Sequence, residues 1–218
     1  MHNIINNLQE INEEIYSKEE NKNNSVNVIA VSKTFSLEKI MPLIKYGHIH
    51  FGENKVQESI DKWSEIKNEI SNLKLHFIGK LQTNKVKHVI PLFDYIHSLD
   101  SIKLAEKIHN QQNKINFRPK IFVQVNIGAE KQKSGILISD LENFLKDCKN
   151  NFDLNILGLM CIPPISNSSK KYFEIMQKLN EKFGFNDLSM GMSSDYLDAI
   201  KCGSSYIRIG SKIFGKRN

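Results

Sequence analysis

Apolar residues fall in two rhythms along this chain, and the rhythms take turns. Near the N-terminus Ile4, Leu8, Ile11 and Ile15 recur at helical spacing and mark one buried face. The polar run Asn21 to Ser25 then reads as a turn. From there, short apolar runs alternate with helical stretches to the C-terminal end. The runs are 27–33 (NVIAVSK), 48–53 (HIHFGE), 75–81 (LHFIGKL), 94–99 (DYIHSL), 119–127 (PKIFVQVNI), 156–162 (ILGLMCI), 187–192 (DLSMGM) and 205–210 (SYIRIG). Most are near-continuous rather than alternating, as parallel strands covered on both faces should be. Between them Leu37–Ile40–Met41–Ile44, Val56–Ile60–Trp63, Ile102–Ala105–Ile108, Leu141–Phe144–Leu145 and Tyr172–Phe173–Met176–Leu179 carry the helical period.

Eight such units predict an α/β fold. The reading is a single (β/α)8 barrel of the TIM type with an extra N-terminal helix, one domain over residues 1–218. An open doubly wound sheet is the alternative arrangement of the same elements. The stretch Gly128 to Gly135 (GAEKQKSG) is the longest irregular one and reads as a mobile βα loop.

Composition narrows the class without changing the fold. The 218 residues are 40% hydrophobic, enough for one sizeable core. No apolar run approaches the ~18 residues of a membrane span. The first twenty residues hold five acids and no apolar signal core. A soluble cytoplasmic protein, monomeric and without a membrane, is expected. Cys148, Cys161 and Cys202 are odd in number and far apart, which suits buried reduced thiols. The net charge is +6, but only three of the 30 basic residues are Arg, and the lysines are interspersed with acids. Specific nucleic-acid recognition favours Arg and interleaved aromatics, so none is expected.

In a barrel of this type chemistry gathers at the C-terminal ends of the strands. Lys33 ends the first, Gly52-Glu53-Asn54 the second, Gly79-Lys80-Leu81-Gln82 the third, and Asn126 the fifth. The seventh runs into Ser189-Met190-Gly191-Met192-Ser193-Ser194-Asp195 and the eighth ends Arg208-Ile209-Gly210-Ser211. Ser193 reads as a helix N-cap. Bare amides and small hydroxyls after strands seven and eight suit a phosphate. Turns alone would also use Ser and Gly. Arg208, between Ile207 and Ile209, needs a partner. That partner is either a carboxylate or a ligand's ring nitrogen. A strand-end lysine in a dehydrated mouth has its neutral, nucleophilic form favoured. An imine-forming lysine, an anion cradle and an arginine for a pyridine nitrogen together describe a pyridoxal 5′-phosphate pocket.

Seven segments carry a resemblance across nearly the whole chain. They are AVSKT (30–34), FGENKVQE (51–58), HFIGKLQTNK (76–85), QVNIGAEKQKSGI (124–136), GLMCIPP (158–164), LSMGMSSD (188–195) and RIGSKIFGKR (208–217). In these the sequence resembles the pyridoxal phosphate homeostasis proteins, whose fold is similar to the barrel domain of alanine racemase. The resemblance implies a Schiff base on Lys33, Arg208 beside the pyridine nitrogen, and Gly210 with Ser211 at the phosphate. It adds Ser193 or Ser189 from strand seven and Asn54 in the pocket wall. Three positions depart from the usual pattern: Leu75 for Trp, Ser36 for Pro, and Ser211-Lys212 for Thr-Ala. Serine keeps the hydroxyl.

An arginine at the ring nitrogen weakens the cofactor as an electron sink. Racemases on this fold also use a second domain, for which this chain leaves no room after strand eight. The resemblance therefore implies a cofactor binder that buffers pyridoxal phosphate and delivers it to PLP-dependent apoenzymes, not an enzyme. A small racemase or lyase is the alternative. Metal binding by His48 and His50 lacks a third ligand, and His76 reads as a core residue. Glu130 and Lys133 read as solvated charges. Lys80 and Lys85 are candidate transfer or phosphate contacts.

Overall fold

The computed structural model describes residues 3–18, 26–164 and 169–215. The polar run 21–25 and the last residues of the segment 208–217 lie outside the described residues. Eight parallel strands close into a barrel in sequence order: β1 Asn27–Val31, β2 His50–Glu53, β3 Lys74–Phe77, β4 Tyr95–Leu99, β5 Lys120–Val125, β6 Asn155–Cys161, β7 Asp187–Met192 and β8 Tyr206–Ile209. β8 returns to β1, with Ile29 opposite Arg208 and Ala30 opposite Ile209. Closure leaves no edge strand among the described residues and rules out the open-sheet alternative.

The helices α2 Leu37–Lys45, α3 Val56–Glu69, α5 Ile102–Ile115, α6 Ile138–Asn151 and α7 Lys170–Lys182 fall where the periodicity puts them. Ser101 caps α5 by accepting from the Leu104 amide, and Asn116 ends it in the left-handed conformation. A 3₁₀ turn, Thr83–Lys85, and the short α4, Val86–Val89, link β3 to β4. Their single turn is too short to show a period, which is why the pattern misses them.

α1, Asn3–Lys18, buries Ile4, Leu8, Ile11 and Ile15. It packs on α9, Ser211–Phe214, where Asn7 Nδ2 donates to the Ile213 carbonyl at 2.8 Å. Lys212 Nζ reaches back to Glu14 Oε2 at 2.7 Å and Tyr196 Oη at 2.8 Å.

Two cores divide the molecule. The larger lies between sheet and helices. The smaller fills the lumen with Ile29, Tyr95, Phe122, Met160 and Tyr206. Because strand side chains alternate faces, every second residue beyond a lumen position points up the barrel axis. Ile29 leads to Val31 and Lys33, Phe122 to Gln124 and Asn126, and Tyr206 to Arg208 and Gly210. The register that fills the lumen thus also selects what faces its mouth.

The structure corrects one helix start. Ser193 is not an N-cap: α8, Tyr196–Lys201, is preceded by Asp195, and the Asp195 Oδ1 accepts from the Met192 amide at 2.7 Å. Asp195 holds the N-cap position without capping the helix through its side chain, which turns back to Met192, and Gly191 bends the chain just before it at φ +91°.

Candidate functional site

A cavity of about 860 Å³ opens at the C-terminal ends of the strands. Lys33, Asn54, Ser193, Arg208, Gly210 and Ser211 line it together, with Lys80, Gln124, Asn126 and Lys133 on the opposite wall. Ser189 does not reach the cavity. It lies fully buried one layer below, under Arg208. Lys85 is on the 3₁₀ turn, away from the lining.

Lys33 follows β1 on a strained turn. Thr34 has φ 70°, a left-handed conformation that a β-branched residue holds only when its surroundings impose it. The imposing group is a cluster from β2 and α3. The Thr34 amide donates to Glu58 Oε1. Lys62 Nζ lies 3.0 Å from each of Glu58 Oε1, Glu53 Oε1 and the Ser32 carbonyl. Ser32 Oγ and Trp63 Nε1 donate to the same Glu53 oxygen at 2.8 and 3.0 Å. Burial alone would raise the Glu58 carboxyl, but the Thr34 amide and Lys62 outweigh it and hold its pKa below the ordinary value. The acids of FGENKVQE therefore brace the turn that presents Lys33.

The adjoining rim is built from the ends of β7 and of β8, the strand paired with β1. Ser193 Oγ accepts from the Gly210 and Lys212 amides at 3.3 and 3.4 Å. These bonds are long, so an anionic oxygen has little to displace. Gly191 is needed for this turn: a Cβ there would stand 2.6 Å from Ala199 Cβ and 2.9 Å from Tyr196 Cα.

Arg208 is buried, and among the described residues it has no carboxylate partner. Nη1 donates to Ser189 Oγ at 2.7 Å and Nη2 to the Cys161 carbonyl at 2.8 Å. Of the two partners considered for it, the carboxylate is excluded among the described residues. Burial lowers its pKa, with Cys161 and Asp195 opposing. A guanidinium nonetheless stays cationic in proteins.

The long βα loop is pinned rather than loose. Asn126 Nδ2 donates to the Glu130 carbonyl at 2.8 Å, and the Glu130 amide donates to Asn126 Oδ1 at 3.1 Å. Glu130 and Lys133 pair at 2.6 Å and are half-buried, not solvated, and Lys133 also donates to the Pro163 carbonyl at 3.1 Å. Residue type alone missed this, because the Pro163 carbonyl that receives Lys133 comes from the segment after β6. The three cysteines are buried and unbridged, and burial pushes the Cys148 and Cys161 thiols up to about 12. Among the described residues no three His, Cys, Asp or Glu side chains cluster as a metal site would require.

The family model described as alanine racemase, N-terminal domain, matches residues 1–218. A pyridoxal phosphate homeostasis protein of Haemophilus influenzae is 39% identical over 230 residues, 99% of this chain and 97% of that one. The chain belongs to the pyridoxal phosphate homeostasis proteins. A second family member, from Escherichia coli K12, is 33% identical over 231 residues, spanning 100% of this chain and 98% of its own. Among solved structures, PipY of Synechococcus elongatus without PLP superposes with TM-score 0.86 at 32% identity, covering 97% of this chain and all of that one. PipY with PLP bound gives 0.83 at 33% identity, covering 93% and 99%. An alanine racemase of Clostridium difficile shares the fold alone, at 13% identity and TM-score 0.75. The likeness takes in 100% of this chain and 57% of that one.

Proposed function

We propose that this chain binds pyridoxal 5′-phosphate through Lys33 and serves to hold and hand on the cofactor. The observation that carries the reading is the convergence of Lys33, Arg208 and the Gly210–Ser211 rim on one cavity. A phosphate fits the rim, where two amides now share a single serine hydroxyl at long range. The pyridine ring fits between the ends, with Arg208 on its nitrogen side. Asn54 fits as well: its Oδ1 is buried in the cavity wall and lacks a hydrogen-bond partner among the described residues. A ring hydroxyl is the kind of donor that atom awaits. In binding, the lysine nitrogen and the aldehyde carbon join and one water leaves.

When bound, the cofactor supplies an electron sink, and the residues around it decide how strong that sink is. The cation of Arg208 opposes protonation of the ring nitrogen, which favours storage over amino-acid turnover. PLP-dependent apoenzymes are the recipients this reading implies, and Lys80, which lines the cavity, is the candidate transfer contact.

The test is a visible absorption spectrum of the purified protein with pyridoxal phosphate, before and after borohydride. A band that borohydride removes, with the reduced adduct mapped to Lys33, is expected. An adduct on another lysine, or none, overturns the site. Racemisation or cleavage of an amino acid that disappears in Lys33→Ala would favour the enzymatic alternative.

A further inference from the structure

Three histidines climb the barrel lumen in single file beneath the cavity. His50 Nδ1 lies 2.9 Å from His76 Nε2, His76 Nδ1 lies 2.9 Å from His97 Nε2, and His97 Nδ1 lies 2.8 Å from Ser189 Oγ. Ser189 Oγ in turn meets Arg208 Nη1 at 2.7 Å. The file rises by the barrel's stagger. His50 is opposite Lys74, two residues before His76, and His76 is opposite Tyr95, two residues before His97. Each step to the next strand therefore sets the next ring two residues further along, within reach of the last. Aromatic faces hold the rings: His76 stacks on Tyr95 at 4.1 Å between centroids and His97 on Phe122 at 4.6 Å.

One cation sets the direction of the whole file. Arg208 can only donate, so Ser189 Oγ accepts from it. The serine proton then goes to His97 Nδ1. A neutral imidazole that accepts at Nδ1 carries its proton on Nε2. His97 Nε2–H therefore donates to His76 Nδ1, and His76 Nε2–H to His50 Nδ1. In the reverse direction Ser189 would accept twice and its buried proton would lack an acceptor among these groups, which is costly. Burial keeps the rings neutral: His50 is lowered to about 4, and His76 and His97 fall well below the usual imidazole range.

Every link points its lone pair toward Arg208. Aligned dipoles thus stabilise the guanidinium without cancelling its charge, as a carboxylate would. We propose that His97, His76 and His50 are positioning residues, a tautomer-locked chain that holds Arg208 as an unneutralised cation facing the cofactor ring. This rests on the pyridoxal phosphate reading of the cavity.

The first arm of the test needs no cofactor. Long-range proton–nitrogen correlation spectra of the ¹⁵N-histidine-labelled full chain at neutral pH should show the Nε2–H tautomer at all three positions. Arg208→Met should release the lock and give mixed tautomers at His97. An Nδ1–H or imidazolium His97 in the unsubstituted protein, or an unchanged tautomer in Arg208→Met, overturns the chain.

The second arm loads pyridoxal phosphate into His97→Phe, with folding checked by circular dichroism. It reads the pH midpoint of the cofactor's visible band. Loosening Arg208 should move the midpoint up by about one unit, tenfold in proton affinity. His97→Gln, which supplies an acceptor and a donor on one side chain, should restore it. Should His97→Phe fail to fold, Ser189→Ala cuts the same link with a smaller change. An unmoved midpoint in a folded, loaded variant refutes the positioning role. Failure of the unsubstituted chain to bind pyridoxal phosphate refutes the cavity reading instead, and leaves the first arm standing.

Discussion

Acid should unfold this protein well before its carboxylates titrate. His48, His50, His76 and His97 all have pKa values lowered by burial, the first two to about 4. In the unfolded chain each returns to ~6.5. A base whose pKa is depressed by folding contributes stability above its unfolded value and loses it as pH falls toward the folded one. The loss therefore begins near pH 6.5. At pH 5, about 1.5 units lower, each histidine that stays neutral in the fold costs about 2 kcal/mol. His76 and His97, fully buried, give about 4 kcal/mol together, and the half-buried His48 and His50 add up to as much again before solvent screening. That compares with a total stability of about 5–15 kcal/mol for a typical domain. Among the described acids whose pKa folding lowers, Glu38, Glu58 and Glu142, the effect falls below this window. Equilibrium urea unfolding followed by circular dichroism from pH 7.5 to 4.5 measures it. Midpoints should drop steeply below pH 6.5, and His50→Phe should make the slope shallower by one proton, about 1.4 kcal/mol per pH unit. Constant stability between pH 6.5 and 5 would refute the claim that these rings are held neutral.

Other perturbations test the brace and the rim. Lys62→Met strands the buried Glu53 carboxylate and should cost about 3–5 kcal/mol in urea unfolding, most of it regained in Lys62→Met/Glu53→Gln. A loss below about 1 kcal/mol would mean the pair behaves like a surface ion pair. Glu58→Ala frees the Thr34 turn, and should slow borohydride-trappable adduct formation at Lys33 while leaving the melting temperature nearly unchanged. Equal trapping rates would show that the turn holds itself. Gly191→Ala should cost about 1–2 kcal/mol from the positive φ alone, with more from its clash against α8. It should also weaken phosphate binding, read by the equilibrium dissociation of pyridoxal phosphate.

Much of this was legible in the residues, for identifiable reasons. The eight strands announce themselves because parallel strands covered on both faces are mostly apolar, with only a few buried polar residues such as His76, His97, Ser189 and Arg208 breaking the runs. The mouth was readable from strand ends, since alternation carries Lys33 and Arg208 upward from lumen positions. What escaped was whatever depends on register between strands. His50, His76 and His97 are spaced 26 and 21 residues apart, and no local pattern links them. Only the two-residue climb per strand brings them into line. Ser193 was misread for a similar reason: its hydroxyl answers to the amides that follow β8, the neighbouring strand, and not to the helix that follows it. Lys62 carries no local signal either, because its three acceptors come from the turn after β1, from β2 and from α3.

The contact of α1 with α9 has a kinetic consequence. The rim at Gly210 and Ser211 is buttressed by residues about two hundred positions away, through Asn7 with Ile213 and Glu14 with Lys212. A polypeptide emerging from the ribosome exposes its first helix long before that buttress exists. Lys33 then has no Gly210–Ser211 rim beside it. On the proposed reading of Lys33, capture of the aldehyde must wait for β8 and α9 to dock, so a nascent chain should be unable to sequester it prematurely.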